Sequence, residues 1–188
     1  MESSAEQQMV EVIQEQLGEW FSHLAVADRT RYAAMLDSIR KPTDVALDSV
    51  ERGHTQWTIT ICSADFPGAL SLIVGLLTAY RLDIPRADIF TLSFPERRSE
   101  RPARRPLPGR RPAAITPTAP TRRLLDVFEV RALSDPAPDL WQTFQADLAA
   151  LLAAESRDDA RDDITGRVSE AFRALGIQEG KLFPMSVD

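Results

Sequence analysis

The sequence predicts an α+β fold in which a helical hairpin runs into a sheet-and-helix sandwich, and three observations carry that prediction. Apolar residues in the first forty positions recur at three- and four-residue steps. The block from Gln56 switches to alternation, and the segments beyond it change repeatedly between the two periods. A chain of 188 residues, 44% hydrophobic and 27% charged, has enough apolar side chain for a real core.

From Met9 to Leu24 the residues Met9, Val10, Ile13, Leu17, Trp20, Phe21 and Leu24 make one apolar stripe, which predicts an amphipathic helix. A second helix is expected from Asp28 or Thr30, either able to cap it, burying Tyr32, Met35, Leu36 and Ile39 before Pro42 stops it. This hairpin must bury its stripe against the following domain or a second copy of the chain. In Gln56 to Ser63, Trp57, Ile59 and Ile61 alternate with small polar residues, as in a strand with one core face. Pro67 suits a first helical turn, and Leu70, Ile73, Val74 and Leu77 form the next buried stripe, ending near Leu82. Ile84 to Ser93 and Leu124 to Ala132 read as two further strands, paired as a hairpin. A helix from about Asp139 to Ala154 buries Trp141, Phe144, Leu148, Leu151 and Leu152; another from about Asp163 ends at Gly176, and Lys181 to Val187 suits a short last strand.

The expected organisation is therefore a helical region over residues 1–50 and an α+β domain over 56–188, in the order βαββαβ with an extra helix at about 160–176. Between the second and third strands lies an insertion, 95–123, where Glu96 to Arg123 carries nine arginines against two glutamates and seven of the thirteen prolines fall between Pro95 and Pro120. Such a segment has too few apolar side chains to offset the entropy of ordering it. It is expected to be a mobile loop, replaceable by a short Gly-Ser turn with little loss of stability.

Composition also excludes function classes. The longest apolar stretch, Gly68 to Tyr80, is well short of the roughly 20 residues that span a bilayer, and the acidic, glutamine-rich start is unlike a secretion signal, so a cytoplasmic location is the expectation. One cysteine, Cys62, allows no internal disulfide, and His23 and His54 are too far apart to suggest a zinc site. Net charge is −6, and the arginine segment has no aromatic residue to stack on bases, which argues against nucleic acid as a partner. Cys62 has no adjacent histidine and reads as a core residue; Asp158, Asp159, Asp162 and Asp163 lack the spacing of a calcium loop. No phosphate loop, catalytic triad or nucleotidyltransferase signature is present, so no enzyme activity and no cofactor are expected of this chain.

Three pieces in order resemble the ACT family of regulatory domains. Asp65-Phe66-Pro67-Gly68-Ala69-Leu70 after a strand is similar to the family's Asp-x-Pro-Gly-x-Leu turn. Leu82-Asp83-Ile84-Pro85-Arg86-Ala87-Asp88-Ile89-Phe90-Thr91 is similar to its second strand, and Asp126-Val127-Phe128-Glu129-Val130 to its third. The likeness covers about Gln56 to Val187 and is nearest to the carboxy-terminal domains of PII uridylyltransferases and related nitrogen regulators. It departs from the family at Phe66, at Arg81-Leu82 and in the arginine insertion.

The resemblance implies a ferredoxin-like sandwich, paired as a homodimer or with a tandem ACT domain. It would bind a free amino acid, glutamine among the candidates, and control a linked or partner enzyme allosterically. It places the ligand-binding residues at Asp65, Phe66, Gly68, Ala69 and Leu70 in the turn and at Ile84, Ala87 and Asp88 in the second strand. Physically, the amides of Gly68, Ala69 and Leu70 and the positive end of the helix favour a carboxylate. Asp65 is expected to take the ammonium or to cap the helix, and Gly68→Val to block the ligand while sparing the fold. The alternative is that the turn serves the fold alone, in a dimerisation or interaction module without a ligand. Because the chain stops where a last strand would finish, it also reads as the amino-terminal piece of a larger protein.

Overall fold

The computed structural model describes residues 2–94 and 121–155. The expected helix 160–176, the strand Lys181 to Val187, the acidic run at 158–163 and most of the arginine insertion lie outside those residues. The described chain is α+β, as the change of period predicts. Helix α1 (Glu2–Leu17), the short α2 (Glu19–Ser22) and α3 (Val26–Ser38) lead into strand β1 (Val45–Gly53). Then come β2 (Gln56–Ala64), helix α4 (Ala69–Ala79), β3 (Leu82–Ser93), β4 (Arg122–Ala132) and α5 (Leu140–Glu155). The four strands form one antiparallel sheet in the order β1-β2-β4-β3.

Strand β1 corrects the sequence reading, which assigned residues 1–50 to a helical region. Val45-Ala46-Leu47-Asp48-Ser49-Val50 alternates only weakly, yet Val45 and Leu47 pack towards α5 while Ala46 packs towards the helical hairpin. With β1 on one side and β4 on the other, β2 has both its edges taken.

Both faces of the sheet are covered, because alternate strand residues serve different cores. On one face Ile59, Ile61, Leu124, Phe128 and Val130 meet Leu72, Ile73, Leu76 and Leu77 of α4 and Phe144, Leu148, Leu151 and Leu152 of α5. Tyr80 closes this layer, its hydroxyl donating to Asp147 at 2.6 Å; burial and that partner push the phenol pKa well up. On the other face Cys62, Leu92, Leu125 and Val127 meet Ile13, Phe21, Tyr32, Leu36 and Ile39. The hairpin therefore buries its stripe on the sheet of its own chain.

Within that hairpin the expected single helix Met9–Leu24 is interrupted at Gly18, whose φ of 56° no longer continues the helix. The next helix starts at Val26 rather than at Asp28 or Thr30. Asp28 does not cap it; its carboxylate pairs with Arg31 at 2.7 Å one turn on.

Strand β4 begins at Arg122, so two arginines of the expected loop 95–123 belong to the sheet. Arg123 is buried, lies 4.6 Å over the Phe94 ring and donates to the Leu36 carbonyl, tying the end of α3 to the central strand. A charge-assisted hydrogen bond and a desolvated cation–π contact are lost together in Arg123→Ala, which should cost about 2–3 kcal/mol. Urea unfolding at fixed pH measures it, and a cost below about 0.5 kcal/mol, the range of an ordinary surface change, would refute the tie. A Gly-Ser replacement of the loop should accordingly stop before Arg122.

Candidate functional site

The turn between β2 and α4 is built around two residues whose backbone preferences agree. Phe66, Pro67, Gly68 and Ala69 form a type II turn, with Pro67 supplying the fixed φ of the second position and Gly68 the positive φ (93°, ψ −5°) of the third. The Ala69 N–H closes the turn on the Phe66 carbonyl at 3.1 Å, and the Leu72 N–H then takes the Gly68 carbonyl at 3.0 Å to start α4. Gly68 is thus demanded by the turn itself, and Pro67 stands before the helix rather than in its first turn.

This geometry corrects part of the expected site. Ala69 is buried and its amide is already engaged, so it is not a free donor for a ligand. The amides of Leu70 and Ser71 have no backbone acceptor among the described residues, and they lie at the positive end of an eleven-residue helix. Leu70 itself is 40% exposed, while Phe66 leans into the core shared by α4 and α5. Asp65 does not cap the helix. Its carboxylate pairs with Arg122 at 2.8 Å, and its N–H donates to the Arg122 carbonyl at 3.0 Å.

Four residues along the sheet from the level of Asp65 stands an acid of the Asp126–Val130 motif that is not among the expected site residues. Asp126 is fully buried in the central strand, paired in register with Ile61 on β2 and Ile89 on β3; neither carboxyl oxygen makes a well-formed hydrogen bond, although the Phe90 backbone N–H lies near enough to favour the charged form. Burial pushes its pKa up to about 7; the nearby Asp65 charge adds to the rise and the Phe90 backbone N–H opposes it. The signal was present in the sequence: Leu124-Leu125-Asp126-Val127-Phe128 puts an acid in an apolar strand, where a carboxylate is expensive.

The second half of the expected site is elsewhere within the chain. Ile84, Ala87 and Asp88 sit on β3, which leaves α4 at the far end of the sheet and reaches the level of the turn only at Thr91 to Ser93. From Ile84 to Leu92 is eight residues, about 25 Å of strand. Ala87 shares the α4 face with its register partner Phe128, whereas Asp88 shares the other face with Val127 and lies 3.4 Å from Arg86. Ile84 adjoins a bulge and packs against the α4–α5 core. A single chain therefore does not bring the two halves together.

Other chemistry is limited. Cys62 is buried and its thiol pKa is pushed well up, first by burial and then by the Asp126 charge, so the thiolate needed for nucleophilic attack is not available. No group of three or more His, Cys, Asp or Glu among the described residues is placed to hold a metal ion. No described helix is long and apolar enough to cross a membrane. A shallow groove of about 530 Å³ lies on the sheet where the hairpin leaves it bare, lined by Arg52, Gln56, Thr58, Pro85, Glu129 and Arg131, away from the turn.

The architecture defines an antiparallel α+β sandwich with a helix-opening turn at the end of β2 and a buried acid in the neighbouring central strand. No protein-family model matches the chain, and no curated protein matches it.

Proposed function

We propose that this chain is a regulatory, small-molecule-sensing module of the ACT type, which binds a free amino acid beside the β2–α4 turn of a paired assembly and controls a linked or partner enzyme. The observation that carries this reading is the type II turn Phe66–Ala69, which leaves the Leu70 and Ser71 amides without acceptors at the positive end of α4; buried Asp126, opposite Ile61 and four residues along the sheet from the level of Asp65, is the acid on the same face. A ligand carboxylate suits the amides and an ammonium suits the acid, so the pair is matched to a zwitterion. The run β2–α4–β3–β4–α5 supports the same reading, because it supplies the first five elements of a ferredoxin-like βαββαβ sandwich. Glutamine heads the ligand candidates through the likeness to nitrogen regulators. The reading assigns no reaction and no cofactor to the chain.

A second reading, a dimerisation or interaction module without a ligand, is favoured by two contacts. Arg122 already holds Asp65, and the Ala69 amide is spent within the turn. A thermal-shift screen against the free amino acids separates the two. A ligand at a hundred times its dissociation constant adds about 2.7 kcal/mol to the unfolding free energy, which raises the melting temperature by several degrees for a chain of this size. One amino acid that does so, with the effect abolished in Asp126→Leu, supports sensing; a flat response to all of them at millimolar concentration supports the second reading.

A further inference from the structure

We infer that the recess walled by Trp57 and Trp141 receives the guanidinium group of an arginine side chain carried by a polypeptide partner. The inference does not rest on the sensing reading, since the recess lies at the Gln56 end of the sheet, away from the β2–α4 turn. Its volume, about 330 Å³, is at the lower end of small-ligand sites and suits one side chain.

The two aromatic walls come from distant parts of the chain. Trp57 stands near the start of β2 on the face that packs against α5, and Trp141 stands in the first turn of α5. Their ring centroids are 5.6 Å apart and their planes are inclined at 73°, so the indoles form a corner rather than a stack. Pro136 and Pro138, in the loop before α5, line the same recess. Both rings are only partly buried against the core, so packing accounts for part of each. No hydrogen bond accounts for the placement of Trp141, whose Nε1 is buried without an acceptor among the described residues.

The rim of the corner is acidic. Glu51 is the register partner of Trp57, which sets their Cβ atoms about 5 Å apart on one face. It makes no ion pair among the described residues. Asp135 also lines the recess, with its carboxylate 3.7 Å from the His54 ring. Among the described residues no lysine or arginine lines it. Arg52, next to Glu51 in sequence, serves the other face, where its Nε donates to Thr58 Oγ1 at 3.0 Å.

These features select the ligand. An indole face attracts a cation, and more strongly where water is partly excluded. Guanidinium suits the corner better than ammonium, because it is planar and weakly hydrated: it stacks on a ring while its N–H edge engages a carboxylate. A free amino acid would also bring a carboxylate, which the two rim acids repel and no cation there receives. An arginine within a polypeptide carries no such charge.

The test follows the indole N–H resonances of the full chain by NMR during titration with N-acetyl-arginine amide. Of the three tryptophans, Trp20 packs on the opposite face with the helical hairpin and is the internal reference. The Trp57 and Trp141 signals should move with one dissociation constant while Trp20 stays. The citrulline amide, of the same shape without the charge, and free arginine should each bind about two- to fivefold more weakly or worse, the range of one exposed charge contact. Glu51→Gln combined with Asp135→Asn, both at exposed positions, should weaken blocked arginine by about fivefold or more. Trp57→Leu removes a wall and should abolish saturable binding; because Trp57 also packs on the core, its circular dichroism is read first, and the acid double variant carries the test if it unfolds. Absence of saturation by blocked arginine, equal binding of the citrulline amide, or binding that the acid double variant leaves unchanged overturns the inference. Tighter binding of free arginine than of the blocked form overturns the polypeptide as its source. An arginine response that Asp126→Leu removes and the acid double variant leaves intact belongs to the β2–α4 turn, and counts for sensing and against the recess.

Discussion

Replacing Asp126 by Asn should make the protein more stable at pH 8 and hardly change it at pH 4. The carboxyl is fully buried without a well-formed hydrogen bond, and its pKa in the folded chain, about 7, stands above the ordinary carboxylate value of about 3.9. A raised folded pKa means that the folded state holds its proton more tightly than the unfolded one. The stability this contributes is complete below about pH 4 and drains away as pH rises to about 7. The shift corresponds to about 4 kcal/mol at most, reduced by whatever relaxation or water entry the ionised acid provokes. Asn keeps the shape, removes the titration and leaves its own amide to be satisfied, so a gain of about 1–3 kcal/mol at pH 8 is the expected result. The measurement is the difference between parent and variant in urea unfolding across pH 4 to 8, which cancels the other titrating groups. A difference that does not change with pH would mean that the acid has a partner in solution, and a bound ammonium is the partner under which a parent–variant gap should close again at pH 8.

The second large effect concerns Gly68 and Leu77. Val at position 68 would need a β-branched residue at φ 93°, a region such residues avoid, so Gly68→Val should lose about 1–3 kcal/mol through the turn alone. Leu77→Ala opens a cavity under α4 in a fully buried position and should lose about 2–5 kcal/mol. The expectation that Gly68→Val spares the fold is therefore replaced: both variants unfold early, and neither isolates ligand binding. Gly68→Asn is the discriminating change, because Asn tolerates the left-handed region. Thermal unfolding of the three should rank Asn mildest; if Val proves as mild as Asn, the turn at Phe66–Ala69 is not the one the chain adopts.

How much was legible differs element by element. The Ile59/Ile61 alternation and the stripes through Leu77 and Leu148 each state which face is apolar, and the structure buries those faces except at Leu70, which the stripe includes but which stays 40% exposed at the first turn of α4. Strand β1 was missed because Asp48, Ser49 and Glu51 dilute its alternation; it is a strand through its neighbour, its register running from Val45 opposite Ser63 to Gly53 opposite Gln56. Local spacing offers Asp28 or Thr30 as one cap and Asp65 as a cap or an ammonium partner, but Arg31, one turn along the same helix, takes the Asp28 carboxylate, and Arg122, brought up by strand pairing, takes that of Asp65.

By itself the sequence determined the α+β class and the periods of most elements, since each depends on backbone preference and local spacing within a few residues. Tertiary structure alone decided that the helical hairpin covers the second face of its own sheet, that Arg123 enters that core, that Asp126 is stranded without a well-formed hydrogen bond and that Gln16 bonds the Ser93 backbone. The contacts of Gln16 and Arg123 join residues 77 and 87 positions apart, whose meeting is set by strand order and register rather than by any local pattern.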